Sequence, residues 1–464
     1  MTNRAHAIDA AVAVIDRGEF RAELARLVSI PTESQKPDRA PELYRYLDDV
    51  LRKRFEELGF ECKLFPNPCS GPPFLVAQRF EDADFITVLG YGHADVIRGL
   101  EGSWQRDRSP WQLEADGDRL YGRGTADNKG QLTVNLAALQ NVIEQRGGKL
   151  GWNVKFLVEA GEELGSPGLH EFCLAQRELL AADVLIASDG PRLAADAPTV
   201  FLGSRGAVNF TLRVEPRPAA HHSGNWGGLL SNPAITLSHA IAHLVEQSGR
   251  IALPELRPTH IPGDVRDALS RCVVSEDGDG PPIDHDWGEP GLTPAEKLYG
   301  WNSLEVLALS SGTPAAPISA IPGKAVATCQ LRFVVGTDIE AVVPAIRRSL
   351  AAAGLTSVIV ERTADKPFVA TRVPLDSPWV EFASRSIEST LGHQPVILPN
   401  LGGSLPNDAF AEILAMPTLW IPHSYPNCAQ HAPDEHMLES IAREGLAMMA
   451  GIYWDLGDPG MVGR

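Results

Sequence analysis

The N-terminal part of the chain alternates helical and strand-like patterns of hydrophobic residues. Apolar positions three and four residues apart predict helices, and a short apolar run such as 85–90 predicts a buried strand. Strands that alternate with helices indicate an α/β sheet. The helices are predicted at 5–29, 41–58, 129–145 and 168–180, and the strands at 60–65, 74–80, 85–90, 152–158 and 183–187.

The pattern changes near Arg205-Gly206. Residues 208–214 alternate between apolar and polar positions, which is typical of a half-exposed strand. Residues 250–300 are rich in Pro, Gly and Asp and show no clear periodicity. The other elements predicted in this part are a helix at 233–247, strands at 304–309 and 325–334, and a helix at 338–353. Together they indicate a small α+β domain at 206–369.

From about residue 370 the α/β pattern resumes, with a helix at 376–390, a strand at 418–421 and a final helix from about 435. The sequence therefore predicts an α/β fold with a mixed central sheet flanked by helices. This sheet is built from residues 1–205 and 370–464, and the α+β domain is inserted between them.

Composition narrows the classes of partner. The chain has 464 residues, enough for two domains, and its net charge of −18 makes nucleic acid and anionic membranes unfavourable partners. No apolar run approaches the ~20 residues of a spanning helix, and no basic segment followed by an apolar core marks a secretory signal. Six cysteines without CxxC spacing indicate neither a disulfide framework nor a thiolate metal site, so a cytoplasmic location is expected.

The stretch 121–130 reads as a turn broken by glycines, followed by the helical pattern of 129–145. Asp127 therefore lies near a helix start, where the N-terminal dipole favours negative charge. By itself Asp127 is explained better as a helix N-cap than as a functional residue. Other acidic and histidine residues in similar positions give it a second interpretation.

His93, Glu163 and Asp189 each follow a predicted strand, and the carboxyl ends of strands are where α/β sheets bind ligands. Taken singly, a histidine is usually a surface or core residue, and Asp189 before a glycine suits a turn. Zinc accepts imidazole and carboxylate ligands, and a pair of zinc ions needs a bridging carboxylate. With one carboxylate bridging, five ligands leave each ion three protein ligands and an open position for water. The five candidate ligands are His93, Asp127, Glu163, Asp189 and His431.

Two neighbouring residues complete this interpretation. Asp95 either caps a local turn or accepts the His93 ring N–H and so fixes its tautomer. Glu162 and Glu163 are adjacent carboxylates, which repel each other unless a cation lies between them. Glu163 then binds metal, and Glu162 is the general base that takes a proton from water and delivers it to a leaving amine. A solvated acidic turn is the alternative for this pair.

In these motifs the chain resembles the M20 family of zinc peptidases and amidohydrolases, which implies a zinc-exopeptidase-like fold. The resemblance covers nearly the whole chain. Its motifs are Gly92-His-Ala-Asp-Val96, Gly122-Arg-Gly-Thr-Ala-Asp-Asn-Lys-Gly130, Glu162-Glu-Leu-Gly-Ser166, Ser188-Asp-Gly190 and Asn427-Cys-Ala-Gln-His-Ala-Pro-Asp-Glu435.

The resemblance implies two Zn²⁺ ions per subunit, for which Mn²⁺ or Co²⁺ can substitute because oxygen and nitrogen ligands accept them as well. It assigns His93 and Asp189 to one ion and Glu163 and His431 to the other, with Asp127 bridging. It also implies a cis peptide bond after Asp127.

The inserted domain resembles the family's lid and dimerisation domain, which implies a homodimer. Ala220-His-His-Ser-Gly224 matches the stretch whose histidine reaches the partner's active site, so His222 is expected to stabilise an oxyanion there, with His221 as the competing candidate. Arg332 matches a substrate-binding arginine and suits capture of a carboxylate. The residues expected beside the substrate's carboxylate end are Asn400, Gly403 and Ser404.

The leading hypothesis is therefore a binuclear zinc hydrolase that cleaves an amide bond in a small substrate with a free carboxylate, most similar to carnosinase-type dipeptidases. Those enzymes usually carry Arg-Glu before Gly-Gly-Ser, whereas this chain has Asn400-Leu401. This departure keeps an N-acyl-amino-acid amidohydrolase as the alternative. A non-catalytic metal-binding scaffold is the third hypothesis, and retention of Glu162 argues against it.

Overall fold

A computed structural model describes residues 3–274, 281–363, 367–458 and 460. Its largest sheet has eight strands and is mixed. The three central neighbours, the strands that begin at residues 153, 87 and 184, are parallel, while the strand pairs at one edge are antiparallel. In spatial order the strands are Glu61–Phe65, Phe74–Arg79, Asn153–Glu159, Thr87–His93, Val184–Ala187, Thr418–Trp420, Thr199–Phe201 and Val396–Leu398.

Helices cover both faces of this sheet because successive strand residues point to opposite sides. Val88 packs in the core of one face, whereas Leu89 packs in the core of the other. The helices whose buried residues join the first core are Arg4–Asp16, Glu19–Val28, Ala40–Arg45, Tyr46–Leu51, Arg52–Glu57, Lys129–Gln145, Pro378–Leu391 and Glu439–Leu456. Those that join the second core are Leu169–Ala175, Arg177–Leu180, Gly263–Leu269, Pro294–Tyr299 and Ala409–Ile413.

A separate antiparallel sheet of four strands lies between residues 206 and 362. This sheet packs in a third hydrophobic core of the protein, which also contains residues of the helices Pro233–Leu244 and Ile339–Ala352. The strands, in spatial order, are Ser303–Ser310, Ala325–Phe333, Gly206–Val214 and Ile359–Arg362.

Smaller elements join these parts. One sheet pairs His436–Leu438, Arg119–Tyr121 and Glu114–Asp116, and a ladder of two residues pairs His221–His222 with Ala320–Ile321. A four-residue helix spans Ser223–Trp226. The short 3-10 helices are Pro37–Arg39, Gln105–Asp107, Glu162–Leu164 and Pro254–Leu256.

The predicted α/β class and most element positions are confirmed, and the differences are local. The helix predicted at 5–29 is broken after Asp16, where Gly18 adopts a left-handed conformation with φ of 73°. The helix predicted at 41–58 contains a π-helical segment, and that predicted at 168–180 is two short helices. Residues 250–300 include three short helices that their sequence pattern did not reveal. Within the described residues, no helix is both long and apolar enough to cross a membrane.

Candidate metal centre and substrate cavity

His93 ends the strand Thr87–His93 in the interior of the central sheet. Its ring is buried, and Nδ1 lies 3.0 Å from the main-chain carbonyl oxygen of Asp95. Because a carbonyl oxygen can only accept, Nδ1 carries a proton. Nε2 is then the ring atom that faces the acidic residues of the site, and it lies 2.8 Å from Asp127 Oδ1.

Asp95 supports the site through two different groups. Its main-chain oxygen is the nearer acceptor for the His93 ring, whereas its carboxylate lies 3.5 Å from Nδ1. The carboxylate accepts the main-chain N–H groups of Glu162 at 3.2 Å and Glu163 at 3.1 Å. The sequence left two roles open for this carboxylate, a cap of a local turn or an acceptor for the His93 ring. In the structure its hydrogen bonds are with the turn that carries the two glutamates, and it lies near the ring at the longer distance.

Asp127 lies at the end of a tight turn directly before the helix Lys129–Gln145. The Asp127–Asn128 peptide bond is cis, as the sequence predicted. Gly124 has φ of 90°, a conformation that side chains rarely adopt. A Cβ atom on Gly130 would lie 1.9 Å from the carbonyl oxygen of Thr125, so only glycine fits there.

Glu435 holds this turn from inside the protein and was given no role from the sequence. Its Oε1 accepts the main-chain N–H groups of Gly124 and Ala126, both at 3.0 Å, and of Asp127 at 3.1 Å. Its other oxygen accepts a hydrogen bond from Arg123 at 2.7 Å. The sequence did contain a signal for this role. Glu435 is an acidic residue in the same short motif as the candidate ligand His431.

All five predicted ligands come together in two groups that share Asp127. The ligand atoms of His93, Asp127 and Asp189 lie within 4.8 Å of one another, and so do those of Asp127, Glu163 and His431. His431 Nε2 lies 3.2 Å from both Asp127 Oδ2 and Glu163 Oε2. Asp127 therefore turns one carboxylate oxygen towards each histidine.

The charges of these groups fit divalent cations. Burial raises the pKa of Glu163 to about 7 and of Asp189 to about 6, which shows how strongly the site opposes further negative charge. Asp189 Oδ2 is buried, and the residues that the structure describes offer it no hydrogen-bond partner. Hydrogen bonds that His431 donates to the carboxylates of Asp127 and Glu163 raise the pKa of His431 to about 11. A metal ion in each group would supply the missing positive charge and the missing partner.

Glu162 lines a cavity of about 830 Å³ together with Asp127, Asp189 and His431. Burial raises the pKa of Glu162 well above its usual range, and the negative charges of Asp189 and Glu163 add to this effect. The cavity is therefore bounded on one side by the candidate metal groups and by one further carboxylate.

The other side of the cavity is formed by the four-stranded sheet and the loop 402–404. Arg332 Nη1 donates to Ser404 Oγ at 2.8 Å, and Nε donates to Gln330 Oε1 at 2.8 Å. Gly403 lies beside them in the cavity wall. Among the described residues, Arg332 has no ion-pair partner, so its charge is available to an anionic group.

Two predicted site residues lie elsewhere. Asn400 is fully buried, and its amide donates to the carbonyl oxygen of Thr371 at 2.9 Å. Its side chain is directed into the protein, and Asn400 is absent from the cavity lining, so the structure gives no contact that supports the predicted substrate-binding role. His222 is exposed, and its Nδ1 accepts the N–H of Gly224 at 3.1 Å. It does not line the cavity within this chain.

Known proteins match this chain over most of its length. The profile of peptidase family M20/M25/M40 matches residues 89–455. The chain is 26% identical over 416 residues to the beta-Ala-His dipeptidase of Homo sapiens, which is 83% of this chain and 78% of that protein. It is 29% identical over 365 residues to the Cys-Gly metallodipeptidase of Schizosaccharomyces pombe, which is 72% of this chain and 74% of that protein.

The fold is shared with a solved structure. Human carnosine dipeptidase 1 matches with a TM-score of 0.78 at 23% sequence identity, over 97% of this chain and 98% of that chain. This likeness agrees with the large mixed sheet flanked by helices.

Proposed function

Because the chain belongs to peptidase family M20/M25/M40, as its motifs predicted, we propose that it is a binuclear metal-dependent dipeptidase. The observation that carries this proposal is a single cavity that joins two ligand groups to Arg332. A small substrate can place its amide bond at the two ligand groups and its free carboxylate at Arg332. The names of the two dipeptidase relatives support a dipeptide substrate.

Two Zn²⁺ ions would be held by residues already close together, with Mn²⁺ or Co²⁺ as substitutes. His93, Asp127 and Asp189 would hold one ion, and Asp127, Glu163 and His431 the other. When bound, such ions polarise the substrate carbonyl and lower the pKa of water.

The protein's own groups would bind the substrate and move the proton. Glu162 takes a proton from the water that attacks the amide carbon and delivers it to the leaving nitrogen. Its backbone is fixed by the Asp95 carboxylate, which holds the side chain at the cavity wall. Arg332, Gly403 and Ser404 receive the substrate carboxylate, since a guanidinium group binds it with two parallel hydrogen bonds.

A second copy of the chain would complete this site. The strand Ser303–Ser310 is an edge strand, and its residues Val306, Leu307 and Leu309 are 39%, 55% and 59% exposed. Unpaired edges with apolar side chains are ready to pair with another chain, which supports a homodimer through the domain 206–369. We assign His222 of the second copy to the oxyanion rather than His221, because His221 is half-buried and packs against Trp226.

One observation favours the N-acyl-amino-acid amidohydrolase as the second candidate. Leu401 lines the cavity, and its methyl group packs against Gly190, directly after the candidate ligand Asp189. An apolar wall at this position suits an acyl chain better than a free ammonium group.

The state of the cysteines supports the expected compartment. All six are unpaired in the structure, which is their expected state in a reducing environment. We therefore propose a cytoplasmic location.

Replacement of Glu162 by Gln tests the proposed function. We expect Glu162→Gln to lower kcat by about 10²- to 10⁴-fold on dipeptides while the metal content stays that of the wild type. Glu178→Gln is a matched control, because Glu178 is exposed on a short helix away from the cavity. Assays with free dipeptides and with N-acyl amino acids separate the two candidate functions.

Equal activity in Glu162→Gln and the wild type would refute the proposed base. Bound metal without hydrolysis of either substrate class by the wild type would favour the non-catalytic scaffold instead.

A further inference from the structure

A second cavity, of about 590 Å³, adjoins the catalytic cavity. The two cavities share Gln330 and Arg332 in their walls. Arg332 therefore stands at their junction, with the candidate metal groups on one side and the second cavity on the other. The second cavity is formed largely by residues within 249–274 and 283–305, which include much of the region 250–300 to which the sequence assigned no role.

The wall between the two cavities is a fixed structure. Arg205 Nε donates to the carbonyl oxygen of Gly402 at 3.0 Å, and its Nη1 donates to that of Trp301 at 3.4 Å. Leu298 packs against Gly402, since a Cβ atom there would lie 3.3 Å from Leu298 Cδ1. The loop that carries Ser404 is thus held against residues of the second cavity.

The lining of the second cavity is suited to apolar groups. Trp287 packs flat on Gly249, where a Cβ atom would lie 2.2 Å from the indole ring. Trp287, Trp301, Leu298, Leu292 and Ile251 contribute aromatic and aliphatic surface. Rigid aromatic surface of this kind is typical of sites that bind apolar side chains.

Two charged residues of the lining, Glu289 and Lys297, are already engaged, whereas Asp284 and Glu305 also line the cavity and are exposed. Glu289 accepts from Arg250 at 3.1 Å and from Arg257 at 3.5 Å. The Lys297 ammonium donates to the carbonyl oxygens of His285 and Trp287 at 2.8 and 2.7 Å. With Glu289 and Lys297 engaged, the aromatic and aliphatic side chains are the main surface that an apolar group of a ligand would meet.

We propose that the second cavity binds a large aromatic or aliphatic side chain on the substrate residue that carries the free carboxylate. This inference rests on the proposed function, because Arg332 must hold that carboxylate at the junction. The side chain attached next to the carboxylate then extends past Arg332 into the second cavity. The substrate class is therefore an amide whose carboxyl-terminal residue is bulky and apolar, such as phenylalanine or leucine.

A substrate series tests this assignment. Dipeptides and N-acetyl amino acids ending in Gly, Ala, Leu or Phe are assayed with the metal-loaded enzyme. We expect kcat/KM for Phe to exceed that for Ala by at least about tenfold, because burial of the ring removes apolar surface from water. Equal kcat/KM values for substrates ending in Gly, Ala, Leu and Phe would overturn the inference.

Variants of the second cavity make the test specific. Trp287→Ala removes part of the apolar wall, and Leu298→Trp fills the space, so both should lower the Phe-to-Ala ratio of kcat/KM towards one. Leu174→Trp adds the same bulk at a position that is 65% exposed on another helix, and it should keep the wild-type ratio. An unchanged ratio in both cavity variants would contradict the proposal.

Binding to Glu162→Gln separates this inference from the proposed function. Calorimetry with the metal-loaded variant compares N-acetyl-phenylalanine with N-acetyl-alanine, so that no turnover is needed. Tighter binding of the phenylalanine compound, lost in Trp287→Ala, would support the second cavity even if the wild type hydrolysed nothing. Equal affinities would refute it even if hydrolysis were observed.

Discussion

Arg123 donates to the carboxylate of Glu435 at 2.7 Å, and each side chain is only 1% exposed. The other oxygen of Glu435 accepts the main-chain N–H of Asp127, whose carboxylate is shared by both candidate metal groups. The ion pair therefore helps to position that shared carboxylate. Loss of one partner leaves a buried charge without compensation, which typically costs about 3–5 kcal/mol.

We therefore expect Glu435→Gln to lower the free energy of unfolding by several kcal/mol and to weaken metal binding. Chemical denaturation and metal titration measure the two effects. Asp16→Asn is the control, because it removes an exposed ion pair with Arg443 and should leave the denaturation midpoint unchanged. Equal midpoints for Glu435→Gln and the wild type would contradict the supporting role of Glu435.

Arg332 is expected to recognise a carboxylate, since it lines the cavity without an acidic partner among the described residues. Arg332→Gln should lower kcat/KM for substrates with a free carboxylate by about 10- to 100-fold, the size of a lost charged hydrogen bond. When the free carboxylate of these substrates is replaced by a carboxamide, Arg332→Gln should lower kcat/KM much less. Arg362→Gln, on an outer strand of the same sheet, is the matched control. A similar loss for both substrate forms would exclude carboxylate recognition by Arg332.

A mixture of two inactive variants tests whether His222 acts across a dimer. In a hybrid of His222→Ala with Glu162→Gln, one of the two sites combines an intact Glu162 with an intact His222 from the other chain. Random exchange of subunits should restore about one quarter of the wild-type activity. A chain that carries both substitutions, mixed with Glu162→Gln, is the control and should show no recovery. Failure of the first mixture to recover would refute the contribution in trans, and recovery with His221→Ala instead would transfer the role to His221.

The candidate ligands could be predicted because strand ends in an α/β sheet meet at one edge. His93 ends the strand Thr87–His93, and Asp189 lies two residues after the strand Val184–Ala187. The sequence predicted that both lie at this sheet edge, and the structure adds that the two strands are parallel neighbours. The glycine-broken turn and the helical pattern after it predicted that Asp127 would lie beside a helix start, and the helix begins at Lys129.

The positions of other side chains could not be predicted from the sequence, because the order of residues along the chain does not determine the direction in which a side chain points. Asn400 precedes the loop 402–404 by two residues, yet its amide is directed to the buried carbonyl of Thr371. Glu435 points inwards because the main-chain N–H groups of the turn 124–127 need an acceptor. The second cavity is lined by residues within 249–274 and 283–305 together with Arg332. Residues 250–300 lack the periodicity that would have predicted the helices found there.

Metal content per chain is the measurement that tests the central claim most directly. After dialysis against Zn²⁺ and removal of excess metal, we predict about two ions per chain in the wild type, and one or fewer in Asp127→Asn, which lacks the charge of the shared carboxylate. His93→Ala and His431→Ala should each lose one ion, since each histidine belongs to only one of the two groups. A wild type that binds a single ion, or an Asp127→Asn variant that still binds two with unchanged affinity, would contradict the binuclear site.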